Sequence, residues 1–154
     1  MSKVTKIKIV VNPGGTMPKK GTEGAAGYDL YSPVDFTVPA SQTVRGTAAV
    51  AIGRFQVDTL VAIQVPVNMV GNVKGRSGLA FNQGMDAFSG TIDSDFTGTV
   101  KVLLYNFTGR PIDFKKGDRI GQIVFEYAPA VELEETDKLD ETVRGEGGLG
   151  HTGA

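Results

Sequence analysis

Apolar and polar side chains alternate along this chain in short runs, punctuated by glycine, proline, asparagine and aspartate. Residues 6–11 (KIKIVV) alternate at their start, and 34–38 (VDFTV) are bounded by Pro33 and Pro39. Residues 47–53 (TAAVAIG) lead toward 60–67 (LVAIQVPV). The strongest run is 99–108 (TVKVLLYNFT), closed by the turn at 109–111, and the last is 119–127 (RIGQIVFEY). A period of two with β-branched and aromatic enrichment predicts strands, because alternate side chains then share one face. Only the stretch beginning SGLAFNQ (77–83) predicts a helix, with Ser77 as its N-cap. Many short, closely spaced strands predict an all-β sandwich, jelly roll or barrel.

After Tyr127 the pattern stops. Residues 128–142 (APAVELEETDKLDET) carry six acids and one lysine without apolar periodicity, which predicts a solvated tether. The remaining tail, RGEGGLGHTGA, is rich in glycine and holds the only histidine. Such a segment cannot pack a core. It either frays or becomes ordered over something negatively charged. The division expected is a β domain over 1–127, an acidic linker over 128–143 and a glycine-rich lid over 144–154. At about 3.3 Å per residue the segment after Tyr127 reaches several tens of Å, so the tail need not close over its own subunit.

Composition narrows the chemistry. A length of 154 residues suits one domain with a proper core. A net charge of -1 argues against a general nucleic-acid surface, so an anion site must be local. There is no cysteine, which removes disulfides, zinc thiolates and a cysteine nucleophile. With His151 the sole histidine, a metal would be a hard cation held by oxygen, most plainly magnesium arriving with phosphate. No apolar run approaches a signal peptide or membrane span, so an intracellular location is expected.

Three stretches suit phosphate. GRSGL (75–79) sets an arginine beside a hydroxyl, GDRIGQ (117–122) supplies Arg119 and Gln122, and RGEGGLGHTG (144–153) offers Arg144, Thr152 and bare glycine amides. Arginine forks and exposed N–H groups hold phosphates without a long helix dipole. The pattern GxxxxGK[ST] is absent. Two carboxylate stretches complement them. Asp29 lies in AAGYDLYS (25–32), and Asp93 and Asp95 lie in SGTIDSDFTGTV (89–100), spaced to share a strand face. Either of that pair can serve as general base for a water attacking phosphorus, or simply form and cap a turn.

The segments AAGYDL, GRSGLA, GTIDSDFTG, GDRIGQIVF and RGEGGLGHTG occur in that order, from 25 to 153. Together they resemble the five motifs of the trimeric dUTP nucleotidohydrolases (dUTPases). The resemblance implies a jelly-roll homotrimer with active sites between subunits, acting on dUTP with Mg2+. It sets Asp29 near the phosphates, holding magnesium through water, and Arg76, Ser77, Gly78 and Gln122 on the phosphate chain. Asp93 becomes the base that activates water against the α-phosphorus, releasing dUMP and pyrophosphate. Ala87, Gly90 and Ile92 fall to the nucleoside, and Phe96, where the family usually has tyrosine, to the deoxyribose face. The tail of a third subunit would close over the nucleotide, with Arg144 and Thr152 on the γ-phosphate and Gly150 amides beside it. Leu149 stands where a phenylalanine often stacks on uracil, His151 where a serine is usual, and Ala87 where several members have asparagine. Base selection would then rest on backbone hydrogen bonds of the hairpin at 84–90. Related dCTP deaminases carry a glutamate ten positions after the aspartate, and this chain has Leu103 there.

Overall fold

The computed structural model describes residues 4–147. Eleven strands and one short helix follow one another in the order β1 (Lys8–Val11), β2 (Tyr28–Tyr31), β3 (Phe36–Val38), β4 (Gln42–Thr43), β5 (Val50–Ala51), β6 (Gly53–Gln64), β7 (Met69–Lys74), α1 (Ser77–Gln83), β8 (Met85–Ile92), β9 (Thr99–Asn106), β10 (Ile112–Phe114) and β11 (Arg119–Tyr127). Seven of them make one antiparallel sheet in the order β1-β6-β9-β8-β7-β11-β2, and β10–β3 and β4–β5 form two short ribbons. Among the described residues, no helix is long and apolar enough to cross a membrane.

The period of two fills the core. In β9, Val100, Val102, Leu104 and Asn106 are wholly buried, while Lys101 between them faces water. In β6, Val57, Thr59, Val61 and Ile63 point inward. Leu30, Val38, Ile120 and Ile123 complete the same core. Each of the buried Val, Leu and Ile side chains contributes roughly 1.5–3 kcal/mol by leaving water. The β10–β3 ribbon packs on β6 and β9, where Phe36 stacks on both Phe55 and Phe114 at 4.9 Å between ring centroids.

Two differences from the sequence expectation have clear causes. β6 is a single long strand, entered at Gly53, because its polar first half pairs with β9 from Gly53↔Asn106 to Asp58↔Lys101. The register then slips at Leu60, which has φ 59. Asp58 holds that bulge by accepting from the Leu60 amide at 2.8 Å and from the Thr99 hydroxyl at 2.8 Å. The predicted strand at 47–53 shrinks accordingly to Val50–Ala51, with Gly53 passing to β6. The helix at 77–83 forms as expected, but its N-cap is Arg76, and no side chain caps it, so Ser77 is the first helical residue. Residues 128–147 contain no helix or strand.

Candidate active site

The phosphate-suited residues converge at one end of the sheet. β2 carries Asp29, and β11 brings Gln122 directly opposite it. β7 ends at Lys74, so Gly75 and Arg76 leave the sheet beside Gln122 and start α1. Asp29, Arg76, Ser77, Arg119 and Gln122, with the 21–27 loop, line a cavity of about 200 Å³. The Arg76 Nε lies 3.0 Å from Asp29 Oδ1, and Arg119 Nη1 lies 3.4 Å from Oδ2. Asp29 is only 13% exposed, so one half-buried acid orients two arginines and leaves the cluster net positive. Gln122 donates to the Gly75 carbonyl at 2.8 Å. It lies so close to Gly27 that a Cβ on Gly27 would overlap its Oε1. The amides of Ser77 and Gly78 precede the first intrahelical bonds, which run from Leu79 and Ala80 to the Arg76 carbonyl, and are free to face an anion.

A second cleft lies at the far end of β8. It is lined by Thr91, Ile92, Asp93, Phe96, Thr99 and Lys101. Asp93 and Asp95 do not share a strand face: β8 ends at Ile92, and both acids fall in the turn closed by the Phe96 amide on the Asp93 carbonyl at 3.2 Å. The turn reading holds, and Asp93 is exposed on that turn. The tip of the Phe96 ring lies against Gly98, where a Cβ would come within 2.7 Å of Phe96 Cζ.

Between β7 and β8 the ladder opens. Asn72 pairs with Thr91 and Lys74 with Phe88, so β8 carries one residue more than β7 across that interval. Gly90 takes up the excess at φ 74, a conformation costly for any side chain. The opening forms a cleft lined by residues 72–75 on one side and by Asp86, Ala87, Phe88, Gly90 and Thr91 on the other. Glu126 fixes its polar wall. It pairs with Lys74 at 2.9 Å, and that hydrogen bond, followed by one from Asn72, holds the Glu126 carboxyl below its ordinary range.

The structure thus gathers Asp29, Arg76, Ser77 and Gln122 in one place, and Ile92, Asp93 and Phe96 in another. The second joins the Ala87–Gly90 cleft through Thr91, while the phosphate-suited cavity shares no lining residue with either. Gly78 is exposed next to Ser77 but lines no cavity wall. Arg144 is exposed, donates to the Gly147 carbonyl at 2.6 Å and lines none of the three. Leu149, Gly150, His151 and Thr152 lie outside the described residues. Sequence reasoning picked out Arg119 without giving it a partner, and gave no place to Lys74, Asn72, Phe88 or Lys101. Their signal, the register of β7 against β8 and β11, is not local in sequence.

Asp29 is the one carboxylate of the phosphate-suited cavity, and no group of three or more metal-ligating side chains occurs among the described residues. These residues do not fit a cation caged by protein alone. They do fit magnesium that keeps most of its ligands as water and phosphate oxygen, with one carboxylate in reach.

A family model described as dUTPase matches residues 14–153. The deoxyuridine 5'-triphosphate nucleotidohydrolase of Paramecium bursaria Chlorella virus 1 is 41% identical over 153 residues, covering 99% of each chain. That of Saccharomyces cerevisiae is 39% identical, covering 98% of this chain and 95% of the relative. Among solved structures, the G164S mutant of Staphylococcus bacteriophage 80alpha dUTPase with dUpNHpp aligns at a TM-score of 0.84 and 19% identity, covering 98% of this chain and 100% of that one. The D95N mutant dUTPase of Staphylococcus aureus phage phi11, described with a structural Mg(II) ion, aligns at 0.74 and 16% identity, covering 89% and 100%. The structural likeness bears out the jelly-roll fold, and the match along nearly the whole sequence decides the family: this chain belongs to the dUTPases.

Proposed function

We propose that the protein hydrolyses dUTP to dUMP and pyrophosphate inside the cell, removing dUTP and supplying dUMP for thymidylate synthesis. It would act as a homotrimer whose sites are shared between subunits. The observation that carries this reading is the division of the chemistry. An arginine cavity around Asp29 suits a triphosphate, and a separate carboxylate cleft runs into a bulged hairpin. Neither half completes a site alone, so one subunit would present its nucleoside cleft to the phosphate cavity of another. The phage 80alpha dUTPase with dUpNHpp supports a nucleotide of this class for the family.

In this reading Arg76, Arg119, Ser77 and Gln122 bind and align the phosphate chain, and Asp93 orients one water in line with the α-phosphorus. The water oxygen bonds to phosphorus, its proton passes to the Asp93 carboxylate, and the bond to the bridging oxygen of the β-phosphate breaks, so pyrophosphate leaves. Magnesium, with Asp29 as its water-mediated protein anchor, would neutralise charge on the phosphate oxygens. Phe96 packs against the sugar and leaves no room for a 2′-hydroxyl. Ala87, Gly90 and Ile92 frame the base end. The segment 144–154 closes the chamber as a lid, with Arg144 and Thr152 on the γ-phosphate. Ordering its glycines is offset only when the triphosphate is bound.

The test is Asp93→Asn. Calorimetry should show nucleotide binding largely intact, while pyrophosphate release falls by about two to four orders of magnitude. Near-normal turnover would remove Asp93 from the role of base. Running the assay with dUTP, dTTP, dCTP and UTP checks substrate choice, and ammonia released from dCTP would contradict the expectation drawn from Leu103.

A further inference from the structure

The bulged cleft has an aromatic wall that the reading above leaves unused. Phe88 is 58% exposed and lines the opening between β7 and β8. It sits in register opposite Lys74 and next to Ala87, on the hairpin whose backbone is expected to read the base. An exposed phenylalanine adds little to a core, yet this ring is held in place. Tyr105 of β9 meets it edge to face, with centroids 5.5 Å apart and planes at 81°. Phe107 backs Tyr105 in turn, at 6.4 Å and 15°. Two rings thus brace a third whose remaining surface is open to the cleft.

Across the cleft stand groups of the opposite character. Asn72 and Lys74 are fixed by Glu126, and Asn72 also accepts from the Thr91 hydroxyl at 3.4 Å. A cleft with one apolar aromatic wall and one polar wall matches a planar ring with polar edges. A pyrimidine base has that form, whereas sugar and phosphate do not. We infer that Phe88 is a base-contacting, affinity-determining residue, stacking on the pyrimidine, and that Tyr105 is the positioning residue that holds its ring. This rests on the dUTP-hydrolysing reading and deepens it at the base end.

The experiment uses the full-length protein. Loss of an aromatic stacking partner weakens binding of a base by roughly five- to a hundredfold. Phe88→Ala should accordingly raise KM for dUTP and the inhibition constant of dUMP together, by about tenfold, with kcat and inhibition by pyrophosphate unchanged. Phe88→Tyr should restore the original values. Tyr105→Leu should weaken dUMP binding in the parent protein and add nothing to Phe88→Ala. The chain has no tryptophan, so Phe88→Trp installs a single indole whose emission should change as dUMP saturates the site. Unchanged dUMP inhibition in Phe88→Ala, or indole emission indifferent to saturating dUMP, overturns the assignment. So does a smaller sedimenting species for Phe88→Ala, which would make the ring a contact between subunits. A parent protein that does not hydrolyse dUTP is a different failure: it removes the functional reading itself, and this assignment with it.

Discussion

Gly27 offers a way to displace Gln122, a side chain lining the Asp29 cavity and proposed to bind phosphate, without touching it. The residue is buried beside Gln122, and its φ is not of the kind that demands glycine. Space is what demands it. A Cβ there would overlap Gln122 Oε1 and come within 3.0 Å of Gln122 Cδ and 3.3 Å of its Cβ. In Gly27→Ala the amide end of Gln122 has to swing away, breaking its 2.8 Å bond to the Gly75 carbonyl. The moving atoms are the end of a flexible side chain at a cavity wall, so folding should lose only about 1 kcal/mol, the net worth of one hydrogen bond. Activity should suffer more. A hydrogen bond to a charged group is worth about 1.5–3 kcal/mol, and each 1.36 kcal/mol is tenfold in rate, so kcat/KM for dUTP should fall by about ten- to a hundredfold. The assay is pyrophosphate release in a double-mutant cycle with Gln122→Ala. If the effect passes through Gln122, Gly27→Ala adds less than about 0.5 kcal/mol once Gln122 is gone. Equal losses in both backgrounds, or full activity of Gly27→Ala alone, would refute the argument.

Two further outcomes follow from the same contacts. Asn106 is wholly buried and donates to the carbonyls of Val38, Pro39 and Arg110 at 3.4, 3.0 and 2.7 Å, while accepting from the Thr108 amide and hydroxyl at 2.9 and 2.7 Å. Asn106→Ala orphans that set and should cost about 3–4 kcal/mol, read as a lower urea midpoint at unchanged slope; a shift under about 1 kcal/mol would mean that water replaces the amide. Truncation before Arg144 should sharply reduce turnover but leave the assembly state and melting temperature unchanged, since the described part of the removed segment, 144–147, contributes no strand or helix; disassembly would make the tail a structural strap.

How much of this was legible depended on whether the deciding force was local. β9 and β11 are readable because their alternating residues bury one face, and β11 runs over the same residues as its apolar pattern. β7 and β8 were not readable. MVGNVK has a glycine packed against Ile92 and Ile123 where a strand would advertise a large side chain, and MDAFSGTI is broken by the bulge at Gly90. β2 is four residues with three half-buried, so YDLY shows no clean alternation. The first half of β6 is polar and owes its conformation to β9. The site divided in the same way. Motif resemblance could name Asp29, Arg76, Gln122 and Asp93, but the pairing of Arg119 with Asp29 needs residues 90 positions apart. The brace of Phe88 by Tyr105 likewise needs the β8–β9 register.

The separation of the two halves within one chain has a chemical logic. Both Asp29 carboxylate oxygens face guanidinium groups, Oδ1 towards Arg76 and Oδ2 towards Arg119, so Asp29 is placed to anchor those arginines. Asp93 shares no cavity with those arginines. In the proposed homotrimer, with Asp93 as the base, a single pocket holding both halves would let the arginines pair with that carboxylate whenever the pocket stood empty. Division between subunits would leave each half attached to its own ladder. The arginines would then approach Asp93 only across a phosphate chain, whose charge they would neutralise instead of the carboxylate's. In that proposal the bulge at Gly90 and the turn after Ile92 serve one end: they present base, sugar and water on a surface to be completed by a neighbour.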